Sequence, residues 1–104
     1  MQKYKILVVD DEPAILLLIE QLLGSEEYIV ETAVDGALAW EKLNQPESSF
    51  NFVILDRMMP GIDGLKLLQM IKADSRLAAL PVIIQSGATS PEQIAEGIRS
   101  ESVV

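Results

Sequence analysis

The sequence predicts an α/β fold with a doubly wound parallel sheet, and two observations support that prediction. Short apolar runs of the kind that form buried strands alternate along the chain with longer segments of helical periodicity. Two of these runs, residues 6–9 and 52–55, lead directly into carboxylates. Helices that connect parallel strands bring the strands' carboxyl ends to one edge of the sheet, where such folds bind ligands. We therefore expect the acids at that edge.

The first strand covers residues 6–9 and leads into a helix expected over residues 13–23. Pro13 suits the first helical position, and an acidic side chain before it can accept hydrogen bonds from the free N–H groups there. Gly24 follows the helix, at the position where a left-handed residue commonly ends one. The residues predicted to form the buried stripe of this helix are Ile15, Leu18, Ile19 and Leu22.

The later elements continue the alternation of strands and helices. On the third helix we expect Leu65, Leu68 and Ile71 to share the buried face, and we expect Trp40 and Phe52 in the core. The last helix is predicted from a capping-box pattern that begins at Ser90. The strands and helices after the first pair are expected over residues 28–33, 37–43, 52–55, 64–72, 82–85 and 91–99.

Composition narrows the possible functions. Sixteen acidic residues against eight basic ones give a net charge of −8, which argues against a nucleic-acid surface and against an anionic membrane surface. The chain has no cysteine and no histidine, so chemistry must use carboxylates, hydroxyls, lysine or a metal held by oxygen. We see no signal peptide and no apolar run long enough to span a membrane, and we expect a cytoplasmic protein.

Three carboxylates form the candidate site. Asp10 and Asp11 follow the first strand, and Asp56 follows the third. If those strands are parallel neighbours, the three acids converge and repel one another unless a cation lies between them, and oxygen ligands suit magnesium. Ser86 follows the fourth strand and adds a hydroxyl at the same end of the sheet. The alternative, in which Asp10 and Asp11 only cap the first helix, remains open.

With these residues in place, the chain resembles the receiver domain of two-component response regulators over nearly all of its 104 residues. The resemblance implies a flavodoxin-like sheet with strand order 2-1-3-4. The matching features occur in a fixed order on alternating strands and helices. They are residues 8–11, Asp56, residues 59–61, residues 63–64 and residues 86–88.

The resemblance implies a role for each matching residue. Asp56 would be the phosphoacceptor, which takes a phosphoryl group from a sensor histidine kinase or a small acyl phosphate. Asp11 would bind Mg²⁺ directly and Asp10 through water, and Asp56 and the backbone carbonyl of Met58 would supply further ligands. Ser86 would be the switch hydroxyl that bonds the phosphoryl oxygens. At most, the enzymatic activity would be self-phosphorylation from a phosphodonor and slow autodephosphorylation at Asp56.

The chain also departs from the family pattern. Receiver domains carry a lysine after a fifth strand and then a final helix, and both would fall beyond Val104. We therefore expect residues 1–104 to be one receiver domain that lacks its fifth strand and last helix. Such a chain should be phosphorylated less efficiently. It should also dimerise or swap segments through the exposed edge of its fourth strand.

Two other functions remain open. The first is a binding module that keeps the receiver fold without phosphoryl turnover, passing its signal to an output domain or a protein partner. The second is a magnesium-dependent phosphohydrolase. It would need a second general acid near Asp56, and the Arg57 and Met58 pair does not supply one.

Overall fold

The computed structural model describes residues 4–24, 28–46, 49–56 and 64–85, and in them strands and helices alternate as predicted. The predicted helix over residues 91–99 lies outside the described residues, as do Met58 and Ser86. The described elements are β1 (Tyr4–Val9), α1 (Pro13–Leu23), β2 (Tyr28–Ala33), α2 (Gly36–Leu43), β3 (Phe52–Asp56), α3 (Gly64–Ala73) and β4 (Val82–Gln85).

The four strands form one parallel sheet in the order β2-β1-β3-β4. The α/β fold class and the predicted strand order are therefore confirmed. Each pair of strands that follow one another in sequence is joined through a helix, which is the connection that parallel pairing requires. β1 lies between β2 and β3, so both of its hydrogen-bonding edges are occupied.

The sheet is covered on both faces, which explains why its central strands are continuously apolar. In β1, Ile6 and Val8 belong to a core that α1 covers, whereas Leu7 and Val9 belong to a second core that α2 and α3 cover. All four of these side chains are fully buried. A strand buried on both faces needs apolar residues at every position rather than at alternate ones.

Periodicity misassigned two residues that the prediction placed on buried helix faces. Leu18 of α1 is 37% exposed and Leu65 of α3 is 43% exposed, so both predictions were wrong. The buried residues are instead Leu16, Ile19 and Leu23 in α1, and Gly64, Leu67 and Ile71 in α3. Apolar residues cover so much of α1 that their spacing fits more than one rotation of the helix about its axis.

The predicted burial of Trp40 and Phe52 is borne out to different degrees. Phe52 is buried in the core beneath α1, and Trp40 is partly buried against the second core.

In the described part of the chain, no helix reaches the length and apolar content needed to cross a bilayer.

Gly24 ends α1 by a mechanism other than the predicted one. Its φ of −58° and ψ of 119° lie outside the left-handed region, so that prediction was wrong. Its N–H donates to the carbonyl oxygen of Glu20 at 2.7 Å, and a Cβ at Gly24 would lie 2.6 Å from the same oxygen. Glycine is favoured here because the backbone of the preceding turn comes too close for a side chain.

Candidate functional site

The sheet brings the ends of β1 and β3 together. Val9 lies opposite Leu55 in the parallel register, and the next residues along the two strands are Asp10 and Asp56. The N–H of Asp10 donates to the carbonyl of Ala33 at 3.1 Å, which extends the hydrogen bonding between β1 and β2 by one residue. The backbone at Asp10 is therefore fixed by the sheet.

The three predicted acids meet at this edge. Asp10, Asp11 and Asp56 each present a carboxylate oxygen, and these atoms all lie within 4.8 Å of one another. Asp10 is 5% exposed, Asp56 is intermediate and Asp11 is exposed, so the cluster opens to solvent on one side. Two strands and the turn after β1 thus form a single acidic pocket.

Asp10 is held by a bond that the sequence analysis missed. Its Oδ1 accepts a hydrogen bond from the N–H of Glu12 at 2.9 Å, which fixes one carboxylate oxygen. An aspartate whose side chain bonds the backbone N–H two residues further along is a common turn-forming arrangement. The presence of an aspartate at position 10, directly before the turn into α1, could therefore have predicted this bond.

The predicted side-chain cap of α1 is not what the structure shows. Glu12 occupies the N-cap position, and its side chain makes no capping hydrogen bond. The Asp10 carboxylate bonds the N–H of Glu12, which lies before the first helical residue. The carbonyl of Glu12 accepts from the N–H groups of Ile15 and Leu16, so the first turn closes through the backbone.

The chemistry of the cluster suits a hard divalent cation. Three carboxylates so close together repel one another, and a bound cation relieves that repulsion. Mg²⁺ binds oxygen at about 2.0–2.1 Å, so opposite ligands of one ion lie about 4.1 Å apart. The three oxygens lie within 4.8 Å of one another, which is close to that spacing. The donors are all oxygen, as such an ion requires.

The chain is thus a doubly wound α/β domain with three acids at the carboxyl edge of its central strands, where such folds bind ligands. A model of the response regulator receiver domain family matches residues 6–103. The chain belongs to that family, and its function class is two-component signalling.

Two curated relatives show how widely this domain is used. The chain is 33% identical over 94 residues to response regulator RppA from Synechocystis sp., which covers 90% of this chain and 39% of that protein. It is 36% identical over 85 residues to the 3',5'-cyclic-nucleotide phosphodiesterase regA from Dictyostelium discoideum, covering 82% of this chain and 11% of that protein. The chain thus spans well under half of either relative.

Solved structures agree with this assignment. The N-terminal domain of a response regulator receiver protein from Methanoculleus marisnigri JR1 is 34% identical, with a TM-score of 0.75, and the match covers 91% of this chain and 76% of that one. Chemotaxis protein CheY4 of Vibrio cholerae is 31% identical with a TM-score of 0.77, and covers 94% of this chain and 80% of that one. Phosphorylated cyanobacterial phytochrome response regulator RcpA is 28% identical with a TM-score of 0.77, covering 94% and 75%.

Proposed function

We propose that this chain is a phosphoacceptor that receives a phosphoryl group on Asp56 from a sensor histidine kinase, with Mg²⁺ as cofactor, in the cytoplasm. The observation that supports the proposal is the convergence of Asp10, Asp11 and Asp56 within 4.8 Å at the carboxyl edge of the sheet. Its likeness to RcpA, whose structure was solved in the phosphorylated state, agrees with the proposal.

Asp56 is the acid best placed to act as the nucleophile. It ends β3, a strand hydrogen-bonded on both sides, and its side chain is neither buried nor fully exposed. In the proposed step a carboxylate oxygen of Asp56 forms a bond to phosphorus, while the bond from phosphorus to the donor's imidazole nitrogen breaks. The electron pair of that bond stays on the imidazole, which takes up a proton after transfer.

The other two acids are assigned to the cation. Asp10 is held by the N–H of Glu12, whereas Asp11 is exposed and offers its carboxylate from the turn. An ion held by these acids would neutralise charge on the transferring phosphoryl oxygens. We propose direct contact to the ion for Asp11 and contact through water for Asp10, because Asp10 is the more buried and constrained of the two.

Two further roles belong to the same proposal. The backbone carbonyl of Met58 would complete the set of cation ligands, and the hydroxyl of Ser86 would bond the phosphoryl oxygens after transfer. Both roles rest on the match to the family motif, with the motif running from Asp56 to Ser86. Phosphorylation would then change the surface that an output domain or protein partner binds.

The direct test is phosphorylation from a small donor. The chain is incubated with acetyl phosphate and Mg²⁺, and intact mass spectrometry measures addition of one phosphoryl group. We expect one addition that hydroxylamine removes, as it does for an acyl phosphate. Asp56→Asn should abolish the addition and Asp11→Asn should slow it at least about tenfold, because charge neutralisation is lost.

Glu20→Gln is the matched control, since it removes an exposed carboxylate of α1 outside the cluster. It should label like the parent chain. Labelling that persists in Asp56→Asn, or that falls equally in Glu20→Gln, contradicts the assignment. Absence of labelling, together with no spectral response to beryllofluoride, would instead favour the receiver-fold binding module.

We also propose that residues 1–104 behave as one domain and that two copies associate through β4. Among the described strands β4 pairs only with β3, and Ile84 on it is 36% exposed. An apolar strand edge of this kind promotes pairing with another chain. Sedimentation velocity should show a fraction of dimer that rises with protein concentration. A monomer at every concentration up to about millimolar would refute this association.

A further inference from the structure

A cavity of about 420 Å³ lies at the amino-terminal end of the sheet. We call it the basal cavity, and its lining includes Leu43, Phe50, Asn51, Arg76, Leu77 and Leu80. Asn51 directly precedes β3, and Asp56 ends that strand five residues later. At about 3.3 Å per residue the two are roughly 16 Å apart, so the basal cavity is separate from the acidic pocket.

One wall of the basal cavity is apolar. Leu43 is buried in the second core, and Phe50, Leu77 and Leu80 pack against that core from outside. The volume falls within the range of about 300–1,000 Å³ found for small-molecule sites, and more of the lining surface is polar than apolar. The cavity is therefore of the right size for a small organic molecule with an apolar part.

Asn51 supplies a fixed hydrogen-bond donor. Its Oδ1 accepts from the N–H of Lys5 at 2.8 Å, and its own N–H donates to the carbonyl of Lys5 at 2.7 Å. These two bonds lock the residue and identify its amide oxygen, so the Nδ2 group remains a donor. No protein acceptor for Nδ2 is found in the described ranges.

Arg76 supplies a second donor, also held in place. Its Nε and Nη2 donate to the carboxylate of Asp74 at 3.3 and 3.0 Å, and Nη2 also donates to Asn44 Oδ1. The guanidinium is thereby oriented, and Nη1 has no partner among the residues that the structure describes. A planar guanidinium with free donors is suited to carboxylate recognition.

Basic side chains outnumber acidic ones in the segment that borders the basal cavity. Lys72 donates from Nζ to the carbonyls of Ala78 and Leu80. Lys72 and Arg76 thus place two positive charges around this segment, in which Asp74 is the one carboxylate. No described lining residue is acidic. In a chain of net charge −8, this local excess of donors and positive charge favours an anion.

We propose that the basal cavity binds a small organic carboxylate, with its anionic group on Arg76 and Asn51 and its apolar body against Leu77 and Leu80. This binding site is independent of the phosphoacceptor function. It does not involve Asp10, Asp11 or Asp56, so either proposal can fail without the other.

The test uses benzoate as the probe and benzyl alcohol as its neutral counterpart. Amide chemical shifts of the whole chain are followed by NMR at constant ionic strength. We expect benzoate to shift Asn51, Leu77 and their neighbours with a dissociation constant of about millimolar, as is usual for a ligand of this size. Benzyl alcohol should bind about tenfold more weakly, because it lacks the charge-assisted hydrogen bonds.

Two variants and one control decide the outcome. Arg76→Gln should weaken benzoate about tenfold while benzyl alcohol is unaffected. Ala79→Leu, at an exposed residue of the lining, should block both ligands and keeps the test valid if Arg76→Gln does not fold. Lys66→Gln removes one exposed positive charge of α3, outside the lining, and should change nothing.

Three results would overturn the proposal. The first is an absence of shifts around Asn51 at tens of millimolar benzoate. The second is equal affinity for the two ligands, which would show that no anion site exists. The third is an equal loss of affinity in Lys66→Gln, which would show that benzoate responds only to net charge.

Discussion

The Nζ of Lys42 donates a hydrogen bond to the backbone carbonyl of Thr32 at 2.7 Å, and this bond protects the free edge of the sheet. The N–H of Asp10 donates to the carbonyl of Ala33, so the odd-numbered residues of β2 turn their carbonyls toward β1. The carbonyl of Thr32, an even-numbered residue, therefore points to the opposite side of β2, away from β1. β2 is an edge strand among the strands that the structure describes, and outward carbonyls at such an edge can pair with another chain.

We therefore predict that Lys42→Met promotes self-association through β2. The variant exposes the carbonyl of Thr32 and also removes a cation 3.9 Å from Glu31, and we expect it to lower stability by about 1 kcal/mol. Sedimentation velocity and urea unfolding measure the two effects. Lys66→Met, at an exposed position of α3, serves as the control. Equal association of the two variants would show that added apolar surface, and not the edge, is responsible.

The acidic pocket predicts a reversal of stability between two conditions. Without divalent cations, Asp11→Asn should be more stable than the parent, because one of three crowded charges is gone. With Mg²⁺ at about 100 times the dissociation constant, the parent should gain about 2.7 kcal/mol and become the more stable of the two. Thermal unfolding in EDTA and in Mg²⁺ gives both values. If Mg²⁺ leaves the unfolding temperature of the parent chain unchanged, the assignment of this site is contradicted.

Asp74 predicts a pH dependence at acid pH. The side-chain hydrogen bond from Arg76, supported by the backbone N–H of Arg76 at 2.8 Å, lowers the pKa of Asp74 from its ordinary value of 3.8. The stabilisation is thus complete above pH 3.8 and is lost as the pH falls through the lowered pKa of the folded state.

The measurement is an NMR titration of the Asp74 carboxyl in the parent chain and in Arg76→Gln. The variant should raise the pKa of Asp74 toward its ordinary value, and it should flatten the loss of stability below that pH. Arg76 carries both hydrogen bonds and charge, so Arg76→Lys should restore only part of the shift. An unchanged titration in Arg76→Gln would rule out the proposed cause.

Gly24 predicts a large effect from a small change. Gly24→Ala would place a Cβ 2.6 Å from the carbonyl oxygen of Glu20, which is backbone and cannot move aside cheaply. We expect a loss of about 1–3 kcal/mol of unfolding free energy, the range for forced overpacking. Gln21→Ala, on the exposed side of α1, should stay within about 0.5 kcal/mol of the parent. A neutral Gly24→Ala would mean that the end of the helix relaxes.

Much of the fold was predictable because it depends on patterns that are local in sequence. The apolar runs fixed the strands, and the acids after residues 9 and 55 identified the edge where Asp10, Asp11 and Asp56 meet. The exposure of Leu18 and Leu65 was not predictable, because the rotation of a helix about its axis is set by the sheet beneath it. Contacts between distant segments, such as Lys42 with Thr32, leave no periodic signal.

The hydrogen bond from the N–H of Glu12 to Asp10 links the acidic pocket directly to the residue that precedes α1. A ligand that displaces the Asp10 carboxylate would therefore also stretch this hydrogen bond and disturb the N-cap residue of α1.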